Sequence, residues 1–67
     1  MTTGKVLDFH PKGLSTLYNY VCRDDDGRIF SFGVEHRYHF DILSHEGDPR
    51  GRYVNYDDDL KTVEFLD

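Results

Sequence analysis

Residues 17 to 33, LYNYVCRDDDGRIFSFG, constrain the fold more strongly than any other stretch of the sequence. The stretch contains two short runs rich in β-branched and aromatic residues, which favour β-strands. Between these runs lies DDDG at positions 24–27, whose Asp-Gly pair tolerates the positive φ angles of a tight hairpin turn. We therefore predict a β-hairpin whose two strands flank an acidic turn.

Short strand patterns also occur on either side of this hairpin. GKVLDFH, at residues 4–10, alternates over a short range and is followed by the turn residues PKG at 11–13. Further along the chain, residues 52–56 and 62–66 form a last pair of predicted strands around a second aspartate triplet at 57–59. The pattern indicates a succession of antiparallel strands that are joined by short turns.

Residues 34–45, VEHRYHFDILSH, fit two periodicities at once. Apolar residues recur there at the spacing of a helix and also at the spacing of a strand. We expect a short turn or one helical turn over residues 35–37, followed by a strand over residues 38–43.

Charge and cysteine content limit the classes of function. Eight basic and thirteen acidic residues give a net charge of −5, whereas nucleic-acid-binding domains are usually basic because they neutralise phosphates. Six of the acids lie in the two aspartate triplets, so a binding face elsewhere can still be neutral or weakly basic. The single cysteine, Cys22, cannot form an internal disulfide. The sequence shows neither a signal-peptide pattern nor an apolar run of about 20 residues, so we expect a cytoplasmic protein without a membrane partner.

Two aromatic pairs flank the acidic turn. Tyr18 and Tyr20 are two residues apart, as are Phe30 and Phe32, so each pair shares one face of its strand. These rings are either the core of the small domain or an outward surface on which bases stack. The other face of the first of these strands is also apolar, which would leave its two tyrosines exposed.

The first half of the chain resembles the cold-shock domain, a five-stranded OB-fold barrel. That family has a GKV strand, a KG turn, an aromatic strand, a DDG-type turn and a second aromatic strand. The matching pieces here are GKVLDFH at residues 4–10, KG at 12–13, YNYV at 18–21, DDDG at 24–27 and IFSF at 29–32. The resemblance implies that unpaired bases stack on Tyr18, Tyr20 and Phe30, and it places Phe32 at the position of a family histidine.

Length, strand pattern and resemblance together predict the fold class. Sixty-seven residues make one domain, residues 1–67, with one small core. Several short strands in a meander usually curl into a barrel, which removes most of the exposed strand edges. We predict an all-β fold: a small antiparallel barrel of five or six strands, OB-like or SH3-like.

Patterns that indicate metal binding or catalysis are weak in this sequence. His36 and His39 are three residues apart, but the chain has a single cysteine and no CxxC motif, whereas small zinc sites usually recruit several cysteines and histidines at defined spacings. When the acidic turn is aligned on an EF-hand loop, Cys22 and Gly33 stand where acidic ligands are required. We therefore expect no metal, no cofactor and no enzymatic activity.

Two functions from different classes fit these patterns. The first is a small binding module for single-stranded RNA or DNA, with rings that stack on bases and cations that contact phosphates. The residues for this function are Tyr18, Tyr20, Phe30, Phe32, Lys5, Lys12, Arg23 and Arg28. The alternative, which the net charge favours, is a protein–protein interaction module with an acidic surface and no nucleic-acid binding. A third hypothesis is a subunit that completes its core by dimerisation.

Overall fold

The computed structural model describes residues 2–14 and 16–66, which form five strands and one helix. The elements in chain order are β1 (Thr2–Pro11), β2 (Leu17–Arg23), β3 (Ile29–Glu35), α1 (His36–Glu46), β4 (Tyr53–Asp57) and β5 (Thr62–Phe65). All paired strands are antiparallel. Among these residues, no helix is long and apolar enough to cross a membrane.

The strands form one sheet in the order β3-β2-β1-β4-β5, with β1 at its centre. Residues 2–5 of β1 pair with β4, whereas residues 5–11 pair with β2. A bulge between Val6 and Asp8 leaves Leu7 as an extra residue in β1. A strand that is bulged and divides its length between two partners bends, so the sheet curves around the face that packs against α1. We call this face the inner face.

The two edges of the sheet, β3 and β5, do not pair with each other in the part of the chain that the structure describes. The sheet is therefore not closed. The domain is a mostly antiparallel β-structure with one short helix that follows β3.

The predicted acidic hairpin and the last strand pair are confirmed, but the prediction for residues 34–45 is wrong. In place of a short turn or one helical turn and a further strand, α1 occupies His36–Glu46. The helix buries His39 and Ile42, which lie three residues apart on its sheet-facing side. Burial of this face against the sheet stabilises the helix, because short helices gain most of their stability from tertiary packing.

Aromatic rings fill much of the core. The buried apolar side chains are Val6, Tyr20, Cys22, Phe32, Val34, Ile42, Val54 and Tyr56. Four rings make a continuous row across the inner face: Phe9 stacks on Tyr20 and Tyr20 on Phe32, each with centroids 5.6 Å apart, and Phe32 stacks on Tyr56 at 4.0 Å. This ring row connects β1, β2, β3 and β4, and it brings the edge strand β3 against β4 across the bent sheet.

Both aspartate triplets lie in turns, as the sequence indicates. In the β2–β3 turn, Oδ1 of Asp24 accepts hydrogen bonds from the backbone N–H groups of Asp26 and Arg28. In the β4–β5 turn, Oδ1 of Asp57 accepts hydrogen bonds from the N–H groups of Asp59 and Leu60. The first aspartate of each triplet thus shapes its turn, and the later ones add negative charge to exposed loop tips.

Gly4 in β1 occupies a position where a side chain does not fit. A Cβ atom there would lie 2.7 Å from Cε1 of Phe30 and 2.8 Å from the backbone carbonyl oxygen of Arg23. We expect Gly4→Ala to lower the free energy of unfolding by about 1–3 kcal/mol, the usual cost of overpacking a core.

The matched control for this substitution is Gly33→Ala, also in a strand. Its Cβ would meet only the side chain of Leu17, at 3.1 Å, and that side chain can adjust. Urea unfolding of the two variants measures the difference, and equal losses of stability would contradict the close approach at Gly4.

Candidate functional site

The four rings that flank the acidic turn do not share one exposed surface. Tyr20 is 0% exposed and Phe32 is 6% exposed, and both belong to the ring row. Tyr18 and Phe30 are half-buried and pack against the same core. The sequence leaves two locations open for these rings, the core of the domain or an outward surface on which bases stack. Tyr20 and Phe32 lie in the core, so bases cannot reach them in this conformation.

The face of β2 that points inward carries Tyr20 and Cys22 rather than Leu17 and Val21. Tyr20 and Cys22 are buried, whereas Val21 between them is only half-buried and Arg23 is exposed. The physical reason is the volume of the side chains. The space beneath a bent sheet must be filled to the density of a protein interior, and tyrosine fills it better than valine.

Two of the four cations that we predicted to contact phosphates lie on the opposite face of the sheet from these rings. Lys5 and Arg23 are register partners on the outer face of the sheet, while the rings line the inner face. Lys12 and Arg28 are exposed near opposite ends of β2. A single nucleic-acid strand therefore cannot contact Lys5 and Arg23 while its bases stack on the ring row.

Lys5 and Arg23 belong instead to a row of exposed side chains that crosses four strands. Ile29 lies opposite Arg23, Arg23 opposite Lys5, and Lys5 opposite Tyr53. Ile29 is 60% exposed and Tyr53 is 43% exposed. This outer row places two neighbouring cations between an apolar side chain and an aromatic one.

The buried histidine His39 packs α1 against the sheet. Its ring stacks on Tyr18 with centroids 3.9 Å apart, and its Nδ1 atom lies 2.6 Å from the hydroxyl oxygen of Tyr20. Phe9 and His36 complete the cluster: Phe9 lies 4.8 Å from the His39 ring, and His36 stacks on Tyr18 at 5.0 Å. Tyr18 thus serves as a packing surface for the helix.

Burial determines the protonation of this pair. It raises the pKa of the Tyr20 phenol well above its usual value of 10.0, so the phenol keeps its proton. It lowers the pKa of His39 below its usual value of 6.5, and the neighbouring His36 lowers it further. The Tyr20 hydroxyl and Nδ1 of a neutral His39 therefore share a hydrogen bond between two uncharged groups.

A cleft opens where the sheet fails to close, between β3 and the β4–β5 turn. Its volume is about 630 Å³. The lining residues are Leu17, Ser31, Phe32, Gly33, Glu35, Tyr38, Tyr56, Asp58, Leu60 and Lys61. We call this concavity the edge cleft. It combines two rings of the ring row, Phe32 and Tyr56, with an exposed leucine, Leu60, and with charged groups on both sides.

The sequence did not identify these cleft residues as a site. They come from β2, β3, α1, β4 and the β4–β5 turn, and no local motif connects them. The only local signal is Leu60, an apolar residue beside three aspartates in a turn. A single exposed leucine is ordinary on a protein surface, so this signal does not by itself mark a site.

The described residues offer little that is suited to metal binding or nucleophilic chemistry. No group of three or more His, Cys, Asp or Glu side chains in residues 2–14 and 16–66 is placed to hold a metal ion. Cys22 is fully buried, and burial raises the pKa of its thiol to about 11. The thiol therefore stays protonated near neutral pH.

Stability should depend on pH through His39. Because its pKa is lower in the folded protein, the unfolded chain binds more protons between that pKa and 6.5. The stability that neutral His39 contributes is fully present above pH 6.5. As the pH falls below 6.5, the free energy of unfolding decreases by up to about 1.4 kcal/mol per pH unit.

His39→Asn tests this expectation, because the asparagine can still present an oxygen to Tyr20 but does not titrate. The variant should lose less stability than the wild type when urea unfolding is repeated from pH 7.5 to about pH 5.5. His45→Asn, at an exposed position on the same helix, should leave the pH dependence unchanged. If the free energy of unfolding of His39→Asn fell with pH as steeply as that of the wild type, another titratable group would be responsible for the pH dependence.

Comparison with known proteins adds no family to this description. No protein-family model, curated protein or solved structure matches the chain. The edge cleft and the outer row are the two surfaces whose geometry indicates a function.

Proposed function

We propose that the protein is a small protein-binding module whose edge cleft receives a segment of the partner. The observation that carries this proposal is the edge cleft itself, about 630 Å³ in volume and lined by apolar, aromatic and charged groups. Its volume is in the range of about 300–1,000 Å³ that is typical of ligand sites, enough for a few side chains of a protein ligand. An apolar centre with a polar rim is also the usual anatomy of a protein interface.

The charge and the positions of the rings support a protein partner over a nucleic acid. The net charge of −5 repels phosphates and attracts basic protein segments. Most of the aromatic area near the acidic hairpin is committed to the core or to packing against α1. Little of it is left for bases.

We also propose that the fold is an OB-like, partly open barrel. The strand order β3-β2-β1-β4-β5 and the contact of Phe32 with Tyr56 across the inner face support this assignment. The edge cleft would then occupy the gap at which such a barrel stays open. The cytoplasmic location remains a prediction from the sequence.

Leu60→Ala tests docking in the edge cleft. Leu60 is 71% exposed, so its truncation should cost little stability, whereas an anchor in a bound interface contributes more than about 1 kcal/mol. Peptides selected from a random display library against the wild type should bind Leu60→Ala about tenfold more weakly, as measured by fluorescence anisotropy.

The control for this experiment is Leu14→Ala. Leu14 is also exposed, but it lies in the β1–β2 loop and does not line the edge cleft. Its truncation should leave the affinity of the same peptides unchanged. Peptides that bind both leucine variants like the wild type would exclude the edge cleft as the main interface.

The outer row favours a second candidate, the binding of single-stranded nucleic acid on the opposite face of the sheet. Lys5 and Arg23 lie side by side there, and Tyr53 is exposed next to them. Cations contact phosphates and an exposed ring can stack on a base. This version keeps two of the four predicted cations, Lys5 and Arg23, and replaces the predicted stacking rings by Tyr53.

A salt titration with an oligonucleotide tests the second candidate. A twelve-residue oligothymidine should shift the NMR signals of Lys5, Arg23 and Tyr53 at low salt, and binding should weaken steeply as salt releases counterions. Lys5→Ala should reduce the affinity, whereas Lys61→Ala, on the opposite side of the molecule and paired with Asp58, should not. The absence of any shift at low salt would eliminate this candidate.

A further inference from the structure

The hydrogen-bond alternation of β3 shows which of its backbone groups face away from the sheet. The ladder between β2 and β3 ends in two bonded pairs: Asp24 N–H donates to the carbonyl of Arg28, and His36 N–H donates to the carbonyl of Thr16. In an antiparallel ladder, bonded and non-bonded pairs alternate. Counting inward from both ends gives the same result: the backbone groups of Ile29, Ser31 and Gly33 point away from β2.

These groups form an open strand edge that borders the edge cleft. Ser31 and Gly33 both line the cleft, and no other described strand pairs with this side of β3. An unpaired row of N–H and C=O groups is a template for the addition of another strand. Ser31 has a small side chain and Gly33 has none, so an approaching backbone meets little steric obstruction.

The other edge of the sheet is protected at the corresponding place. The Tyr38 hydroxyl of α1 accepts a hydrogen bond from the N–H of Val63 at 2.8 Å and donates one to the carbonyl of Val63 at 3.0 Å. One phenol thus satisfies both outward backbone groups of this β5 residue. Because β5 is protected at this point and β3 is not, β3 is the edge to which a strand of the partner can add.

The geometry points to β-strand addition: an extended basic peptide segment of the partner pairs with the free edge of β3 and places an apolar side chain in the edge cleft. This inference rests on the proposed function and specifies how the cleft is used. Main-chain hydrogen bonds supply affinity in this mode, and alternate side chains supply specificity. Phe32, Tyr56 and Leu60 provide the apolar surface for the inserted side chain.

Charge identifies the class of peptide. Glu35 lies at the end of the β3 edge, and the β4–β5 turn on the far side of the cleft carries three aspartates. Among residues 2–14 and 16–66, Lys61 is the one cation that lines the cleft, and it pairs with Asp58 at 3.1 Å. The remaining charge at this rim is negative, so lysine or arginine beside the inserted apolar residue is favoured.

The probe for the experiment is a blocked peptide of alternating lysine and valine with one central phenylalanine. We expect millimolar or tighter binding that shifts the amide NMR signals of Ser31 and Gly33 and slows their hydrogen exchange. The control peptide has the same sequence but carries N-methyl groups on alternate amides, which removes its strand-pairing donors. It should bind at least tenfold more weakly.

Ser31→Pro tests the same inference from the protein side. Its N–H faces the free edge rather than β2, and proline is tolerated in edge strands at such positions. The variant should stay folded and lose peptide binding. Ile29→Pro, which removes an outward N–H at the start of β3 and outside the cleft, should retain most of the binding. The N-methylated peptide keeps the test decisive if Ser31→Pro does not fold.

Three results would overturn the inference. Peptide binding that is indifferent to N-methylation and to Ser31→Pro would mean docking in the cleft without strand pairing, which leaves the proposed function intact. No amide shift at millimolar peptide would reject strand addition of this peptide class, whereas the leucine variants test the proposed function separately. A wild-type dimer that becomes a monomer in Ser31→Pro would identify a second copy of the chain as the occupant of the β3 edge.

Discussion

Stacking of Phe9, Tyr20, Phe32 and Tyr56 across the inner face is the interaction on which the rest of the structure depends. A chain of 67 residues has few large side chains with which to build a core, and these rings bury more area than any other residue type it contains. The row joins four strands, and its last contact, between Phe32 and Tyr56, stacks at an interplanar angle of 10°. This contact holds β3 against β4 across the bent sheet, and both of its rings line the edge cleft.

The helix is attached to Tyr20 of the ring row by a polar contact inside an aromatic cluster. Neutral His39 shares a hydrogen bond with Tyr20 while its ring stacks on Tyr18. A buried polar pair of this kind stabilises the fold only while both partners are satisfied, which makes the attachment of α1 sensitive to protonation. The same helix carries Tyr38, so its position also determines how the β5 edge is protected.

The two edges of the sheet differ in whether their outward backbone groups are hydrogen-bonded, and this difference connects the fold to the proposed function. At Val63, β5 is hydrogen-bonded by a side chain of α1, while β3 presents outward backbone groups beside a cleft with apolar walls. Proteins normally protect exposed strand edges against unwanted pairing. An edge that is left open next to a concave, negatively charged site is therefore a reasonable place for a specific partner. The two cations of the outer row lie on the other face of the sheet and form a separate surface.

The sequence by itself determined the β-hairpin of residues 17–33, the last strand pair and the position of both aspartate turns. These features depend on neighbouring residues, namely Asp-Gly turn chemistry and runs of β-branched and aromatic side chains. It also indicated the four cations as exposed residues. The helix at residues 34–45 was missed because helical and strand periodicities coincide there, and only burial of His39 and Ile42 against the sheet separates them.

The tertiary structure alone decided which face of each strand points inward. The bulge at Leu7 reverses the alternation of β1, so that Val6 and Phe9 lie on the same face although they are three residues apart. A one-residue change of register moves every later side chain to the other face, and nothing in the local sequence marks it. The edge cleft is equally non-local, because its residues meet only after five elements of the chain have packed together. Strand formation is thus a local property of this chain, whereas the assignment of rings to the core and the opening of one sheet edge depend on how the whole sheet bends.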